Sequence, residues 1–162
     1  WEMEHAVLLE HFIAGILAHI KEMTLFLNPS PSSYERFGEH EAPMVIGWGH
    51  RNRSALIRIP ATKKNDMRME VRSPDPTCNV YLASYLLISA GMLGIKNQLP
   101  LPEEARGNLY EQADNGLSVL PLSLEEAIHC AKESTFLKEV LPNPYYQAFL
   151  KGKEAITKKW KR

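Results

Sequence analysis

Cysteine is almost missing from this 162-residue chain: Cys78 and Cys130 are the only two, and one pair in a chain of this size makes neither a disulfide scaffold nor a thiolate metal cluster. Free thiols in a reducing, cytoplasmic setting are the expectation. Net charge is absent too, with nineteen basic residues against nineteen acidic ones, so the chain as a whole has no electrostatic reason to seek nucleic acid or an acidic membrane. Long apolar runs are also lacking. The best candidate, Val80 to Leu93, is interrupted by Ser84, Ser89 and Gly91 and falls short of the roughly 20 residues that span a bilayer, which leaves a buried helix as its reading. No secretory signal opens the sequence, so the sequon Asn52-Arg53-Ser54 reads as accidental. What is present is globular: 44% hydrophobic and 23% charged, enough for one domain with its own core. Trp1 rather than Met begins the chain and leads into a helix already in apolar register, so a piece of a longer protein is expected.

Apolar residues then set the elements. Leu9, Phe12, Ile13, Ile16, Leu17, Ile20, Met23 and Leu27 recur at three and four residues, predicting an amphipathic helix over 3–27 that Asn28-Pro29 stops. Residues 30–43, rich in Ser, Pro, Gly and charge, read as an irregular surface segment of the length at which loops become functional, a possible lid. Met44 to Trp48, Ala55 to Ile59 and Met67 to Arg72 are strand candidates, and their short connections favour an antiparallel meander. Asn79 caps a helix to about Leu93, apolar nearly all round and ended by Gly94. Ser123-Leu124-Glu125-Glu126 opens a helix to about Lys132, Ser134 to Val140 extends it, and Asn143-Pro144 starts the last one. The expected class is α+β: a short antiparallel sheet backed by several helices.

Charge is balanced overall and unbalanced locally. Between His50 and Arg72 seven cations (Arg51, Arg53, Arg58, Lys63, Lys64, Arg68, Arg72) face two acids, Asp66 and Glu70. In Asp66-Met67-Arg68-Met69-Glu70-Val71-Arg72 a period of two sends Met67, Met69 and Val71 to a core and Arg68, Glu70 and Arg72 to the other face. Arg58 shares that face if its strand is a neighbour. Arginine suits bidentate contact with phosphate or carboxylate, and a carboxylate between two guanidiniums can seat a hard cation beside an anion. A solvated basic patch is the plain alternative. Nucleic acid fits poorly, because aromatics are not interleaved with the cations and Glu70 would repel a backbone. His5, His11 and His19 lie on one helix without the spacing of a metal pair, and His129 lacks a partner at ligand spacing; His50, in the basic turn, stays open. Gly47-Trp48-Gly49 lacks the rest of a dinucleotide fingerprint. Glu41 ends the segment before the strands, where a carboxylate on a closing lid could take a proton or seat a cation.

At these residues the chain resembles the type I glutamine synthetase family over nearly its whole length. The resemblance runs through Asn28-Pro29 with Ser33-Tyr34-Glu35-Arg36, Glu41-Ala42-Pro43, Arg51 to Pro60, and Arg68 to Pro76. It continues through Asn79 with Tyr81-Leu82, Ala90-Gly91 with Gly94-Ile95-Lys96-Asn97, and Asn108-Leu109-Tyr110. It implies a ligase in which ATP phosphorylates the glutamate side-chain carboxylate and ammonia attacks the γ-glutamyl phosphate. By that resemblance Arg36 and Arg72 would hold glutamate, and Arg53 would neutralise the transferring phosphoryl group and touch both substrates. Arg58 and Arg68 would meet ATP phosphates, Glu70 would ligate the bridging Mg²⁺ or Mn²⁺, and Glu41 would be the flap carboxylate that shields the intermediate and helps deprotonate ammonium. Tyr110 aligns with the tyrosine that some members adenylylate.

The segment between Arg36 and Glu41 is one residue shorter than the common pattern, and Val80 replaces a usual Pro. The resemblance makes residues 1–162 the C-terminal part of a catalytic domain, inactive alone, with the amino-terminal domain and other metal-binding glutamates belonging before Trp1. The whole protein would form a homo-oligomer, a dodecamer of two hexameric rings with sites between neighbouring subunits. A sister ligase joining glutamate to a polyamine or another amine, or a catalytically silent relative, are the alternatives; retention of five arginines and two glutamates speaks against silence.

Overall fold

The computed structural model describes residues 2–39, 42–61, 68–111 and 116–160. The described residues form six helices and a small sheet: α1 (Glu2–Leu27), α2 (Pro31–Glu35), β1 (Trp48–His50), β2 (Ile57–Ile59), β3 (Glu70–Val71), α3 (Val80–Lys96), α4 (Leu124–Glu133), α5 (Thr135–Val140) and α6 (Asn143–Trp160). This is the α+β arrangement the sequence implies. Helix α1 is the axis of the core, with Ile13, Ile16, Ile20, Met23 and Leu27 all fully buried. Among the described residues no helix is long and apolar enough to cross a membrane.

Two glycines decide how α1 meets α3. A Cβ on Gly94 would lie 2.1 Å from the His11 carbonyl oxygen and 2.7 Å from the Gly15 Cα, and one on Gly15 would lie 2.2 Å from the Ala90 carbonyl oxygen. The backbones therefore touch, which only residues without side chains permit. Gly94 does not end α3, as the sequence pattern suggests; the helix continues to Lys96 with Asn97 at its cap. Asn79 does cap the start, its side chain accepting from the N–H groups of Tyr81 and Leu82. Nor is α3 buried all round. Tyr81, Tyr85, Ile88 and Met92 are exposed on the side away from α1.

The sheet is mixed rather than a purely antiparallel meander. Strand β2 lies between its neighbours, pairing with β1 in parallel (Trp48 opposite Ile57, Gly49 opposite Arg58) and with β3 antiparallel (Ile57 opposite Val71, Arg58 opposite Glu70). A parallel pair usually needs a long crossover. Here each of the two strands has three residues, about 10 Å of length, and the six residues between them reach about 20 Å when extended. The chain can thus return within one loop. The first strand candidate is divided: Val45 bridges Val119 antiparallel, while pairing with β2 begins only at Trp48. Part of the expected irregular segment is also ordered as α2, where Pro31 starts the turn and Ser33 and Tyr34 are buried.

Ser123 and Ser134 cap α4 and α5, accepting from Glu126 N–H and Leu137 N–H respectively. The second cap makes α5 a separate helix rather than a continuation. Helix α6 begins on Asn143 itself, the Tyr146 N–H reaching back to the Pro142 carbonyl. Its buried Tyr146 hydroxyl donates to the Ala131 carbonyl at 2.7 Å and so ties α6 to α4.

Candidate functional site

The register of β2 against β3 sets Arg58 directly opposite Glu70. Their side chains meet at 3.2 Å, guanidinium Nη1 to carboxylate Oε2, with 22% and 38% of each exposed. The pair is reachable from solvent. Alternation along the strand returns Arg72 to the face that carries Glu70, and the Arg72 N–H extends the ladder to the Leu56 carbonyl at 2.9 Å. The Nε of Arg58 is buried with no hydrogen-bond partner among the described residues. Met69 and Val71 pack against the main core, as the period-two pattern requires. Arg68 lies just before β3, beyond the strict alternation, and borders a cavity of about 170 Å³ with Trp48, His50 and Ile59. Glu41, and with it Asp66 and Met67, lies outside the described residues.

Arg53 is exposed on the loop that joins β1 to β2, and its two neighbours fix that loop. The Asn52 amide donates to the carbonyls of Ala105 and Gly107 at 3.1 and 3.0 Å, while its oxygen accepts from the Ser54 N–H and hydroxyl at 3.0 and 2.7 Å. Ser54 in turn accepts from the Leu109 N–H at 2.9 Å. Asn52 is thus spent on structure. Asx and Ser side chains bonding two residues along are a local habit, so the Asn-Arg-Ser order carried a signal for this clamp. His50 meets Glu104, which accepts from the His50 backbone N–H at 2.7 Å and lies 3.2 Å from its Nδ1. That backbone bond, which outweighs the opposing effect of burial, holds the Glu104 carboxyl below the ordinary range.

Arg36 is fastened to the segment that follows Arg72. Its Nη2 donates to Asn28 Oδ1 and to the Ser73 carbonyl, both at 2.7 Å, and its Nε lies 3.7 Å from Asp75 Oδ2. Asp75 accepts from the Thr77 N–H at 2.6 Å and hydroxyl at 2.5 Å. Burial pushes the Asp75 pKa up, but the Thr77 bonds, a Ser33 bond and the charge of Arg36 outweigh it and hold the carboxyl below its usual value. A depressed carboxyl stabilises the fold above the unfolded pKa of about 3.9 and loses that stabilisation as pH falls through the folded value. Urea titrations of the natural protein and Asp75→Asn should therefore separate most above the ordinary carboxylate pKa and converge as pH falls through the lowered folded value.

For a metal, the described residues offer no group of three or more His, Cys, Asp or Glu side chains. Glu70 contributes one hard oxygen donor. That fits Mg²⁺ or Mn²⁺ held by one or two carboxylates together with phosphates and water, rather than a cage made by this chain alone.

This geometry has relatives. The family model for the glutamine synthetase catalytic domain matches residues 2–162. Glutamine synthetase of Methanosarcina mazei is 43% identical over 150 residues, covering 89% of this chain and 34% of the relative. That of Pyrococcus furiosus is 40% identical over 157 residues, covering 93% and 34%. Among solved structures, one titled as a GmaS/ADP complex in conformation 1 superposes with a TM-score of 0.85 at 27% identity, covering 96% of this chain and 37% of that one. Apo GmaS without ligand gives 0.84 at 29% identity, covering 96% and 35%. The chain belongs to the glutamine synthetase family, within its catalytic domain. It spans about a third of the length of the curated relatives it matches.

Proposed function

We propose that the whole protein carrying this chain is an ATP-dependent glutamate-ammonia ligase that forms glutamine through γ-glutamyl phosphate, and that residues 1–162 are the C-terminal portion of its catalytic domain. Arg36 and Arg72 hold the glutamate carboxylates, Arg53 neutralises the phosphoryl group in transfer, and Arg58 and Arg68 meet the nucleotide phosphates. Glu41 closes over the reacting atoms and takes a proton from ammonium. Glu70 would hold a divalent ion, Mg²⁺ or Mn²⁺, which supplies charge neutralisation between phosphates. The whole protein acts in the cytoplasm as a ring-forming homo-oligomer, a dodecamer of two hexameric rings, without nucleic acid or membrane as partner.

The observation that carries the reading is the Arg58–Glu70 pair, aligned by sheet register and partly exposed, within a chain matched from end to end by one enzyme family. A half-exposed ion pair contributes little to stability. Its chemical use lies in exchange: a phosphate arriving at Arg58 and a cation arriving at Glu70 replace one pair with two. Phosphoryl transfer needs this kind of placed charge more than it needs a covalent catalyst. The ADP named with GmaS supports a nucleotide in the same fold.

The test is phosphate release by the full-length protein with ATP, glutamate and ammonia, in Mg²⁺ and in Mn²⁺. Release that requires both glutamate and ammonia is the expected result. Turnover with putrescine in preference to ammonia would make it an amine ligase of the same fold, and no turnover with either metal would make it a silent relative.

A further inference from the structure

Behind the arginines lies a set of buried polar groups that the substrate reading leaves without a task. Asn28 and Ser73 are fully buried, Ser33 is 1% exposed and Asp75 7%. Such groups cost stability unless each is bonded, and four in one place demand a reason. Three of them, Asn28, Ser73 and Asp75, converge on the Arg36 side chain. Asn28 follows the last turn of α1, its N–H bonded to the Thr24 carbonyl, its oxygen accepting from Arg36 and its amide donating to the Ser73 hydroxyl at 3.3 Å. Ser73 is the residue after Arg72, and its carbonyl takes the other Arg36 bond. Asp75 anchors its own backbone N–H to the Leu27 carbonyl at 2.9 Å, and Phe37 lies under the guanidinium at 5.4 Å.

We propose that Asn28, Ser73 and Asp75 are positioning residues that hold the Arg36 guanidinium in a fixed orientation relative to Arg72, so that affinity for the amino-acid substrate is set by the end of α1. The proposal rests on the reading that Arg36 and Arg72 bind glutamate. A guanidinium has five N–H donors in a rigid plane. Two partners on Nη2 and a carboxylate facing Nε fix that plane and turn the Nη1 edge toward the remaining direction. An arginine held in advance loses less side-chain freedom when a carboxylate arrives. Asp75 also tempers the site: a fixed negative charge behind Arg36 lowers its pull on any anion and favours ligands that reach Arg72 as well.

The test is made on the full-length protein. Asn28→Ala should raise KM for glutamate by about tenfold, the scale of a lost bond to a charged group, with KM for ATP changed by less than about twofold and kcat largely kept. Ile20→Val, in the helix that Asn28 follows and away from Arg36, serves as the stability control and should leave both constants alone. If the natural protein shows no glutamate-dependent turnover, the substrate reading fails and Arg36 is a structural arginine. If it turns over and Asn28→Ala raises KM for glutamate no more than Ile20→Val does, the positioning role is overturned while the substrate reading stands. Asn28→Leu keeps the branched shape and removes the oxygen that accepts from Arg36, so it serves where Asn28→Ala does not fold: a raised KM for glutamate alone supports the proposal, and an unchanged one overturns it.

Discussion

Gly94→Val is expected to lower the melting temperature by about 10 °C, a loss on the order of 3 kcal/mol in a domain of this size. The cause is the crossing of α1 and α3. At Gly94 a Cβ would fall 2.1 Å from the His11 carbonyl oxygen and 2.7 Å from both the Gly15 Cα and N. These are backbone atoms in the middle of a buried helix, so no side chain can rotate away, and relief comes only by prising two helices apart. Gly91→Ala meets a different neighbour, the Phe12 ring at 2.3 Å. Gly152→Ala, with nothing within 4 Å of the added carbon, should slightly raise stability, because alanine favours a helix interior by about 1 kcal/mol. Melts followed by circular dichroism would rank the three. Equal melting temperatures for Gly94→Val and the natural protein would overturn the description of the crossing.

That crossing also marks where sequence reading stops. The helices were legible because spacing, caps and breakers act locally: Asn28-Pro29 ends α1, Asn79 caps α3 and Ser123 caps α4. A glycine near the end of an apolar run carries the same letter whether it terminates the helix or lets another helix touch it, and Gly94 does the second. Strand direction was hidden for a related reason. Loop length argues for antiparallel neighbours, yet strands of three residues are short enough for a six-residue loop to return the chain in parallel. The alternating Met69 to Arg72 pattern did reveal which side chains leave the core, and the ladder pairs Arg58 with Glu70. What no pattern announced is the support beneath Arg36 and His50. Asn28, Asp75 and Glu104 act through partners 8, 39 and 54 residues away, a separation at which spacing conveys nothing. The exposed stripe of Tyr81, Tyr85, Ile88 and Met92 was equally silent, since an apolar residue looks the same facing a core or facing water.

Exchanging the charges of the central pair separates its structural from its chemical use. In the full-length protein, Arg58→Ala and Glu70→Ala should each lower kcat/KM by about 10²–10³, the range seen when one preorganised electrostatic partner of a reacting group is removed. If both act on the same bound phosphates, as proposed, the double variant should be little worse than the poorer single one. The exchange variant Arg58→Glu with Glu70→Arg rebuilds an ion pair across the same register at a place where 22% and 38% of the side chains are open to water. Folding stability should stay within about 1 kcal/mol of the natural protein, since partly exposed pairs contribute little. Activity should not return. On the proposed roles a carboxylate would stand where the phosphate needs a cation, and a guanidinium where the divalent ion needs oxygen, so reversing both signs would misplace both ligands even though the pair itself is satisfied. Recovery of turnover in the exchanged protein would mean that Arg58 and Glu70 serve only each other, and the ligase chemistry would have to be sought on another face of the sheet.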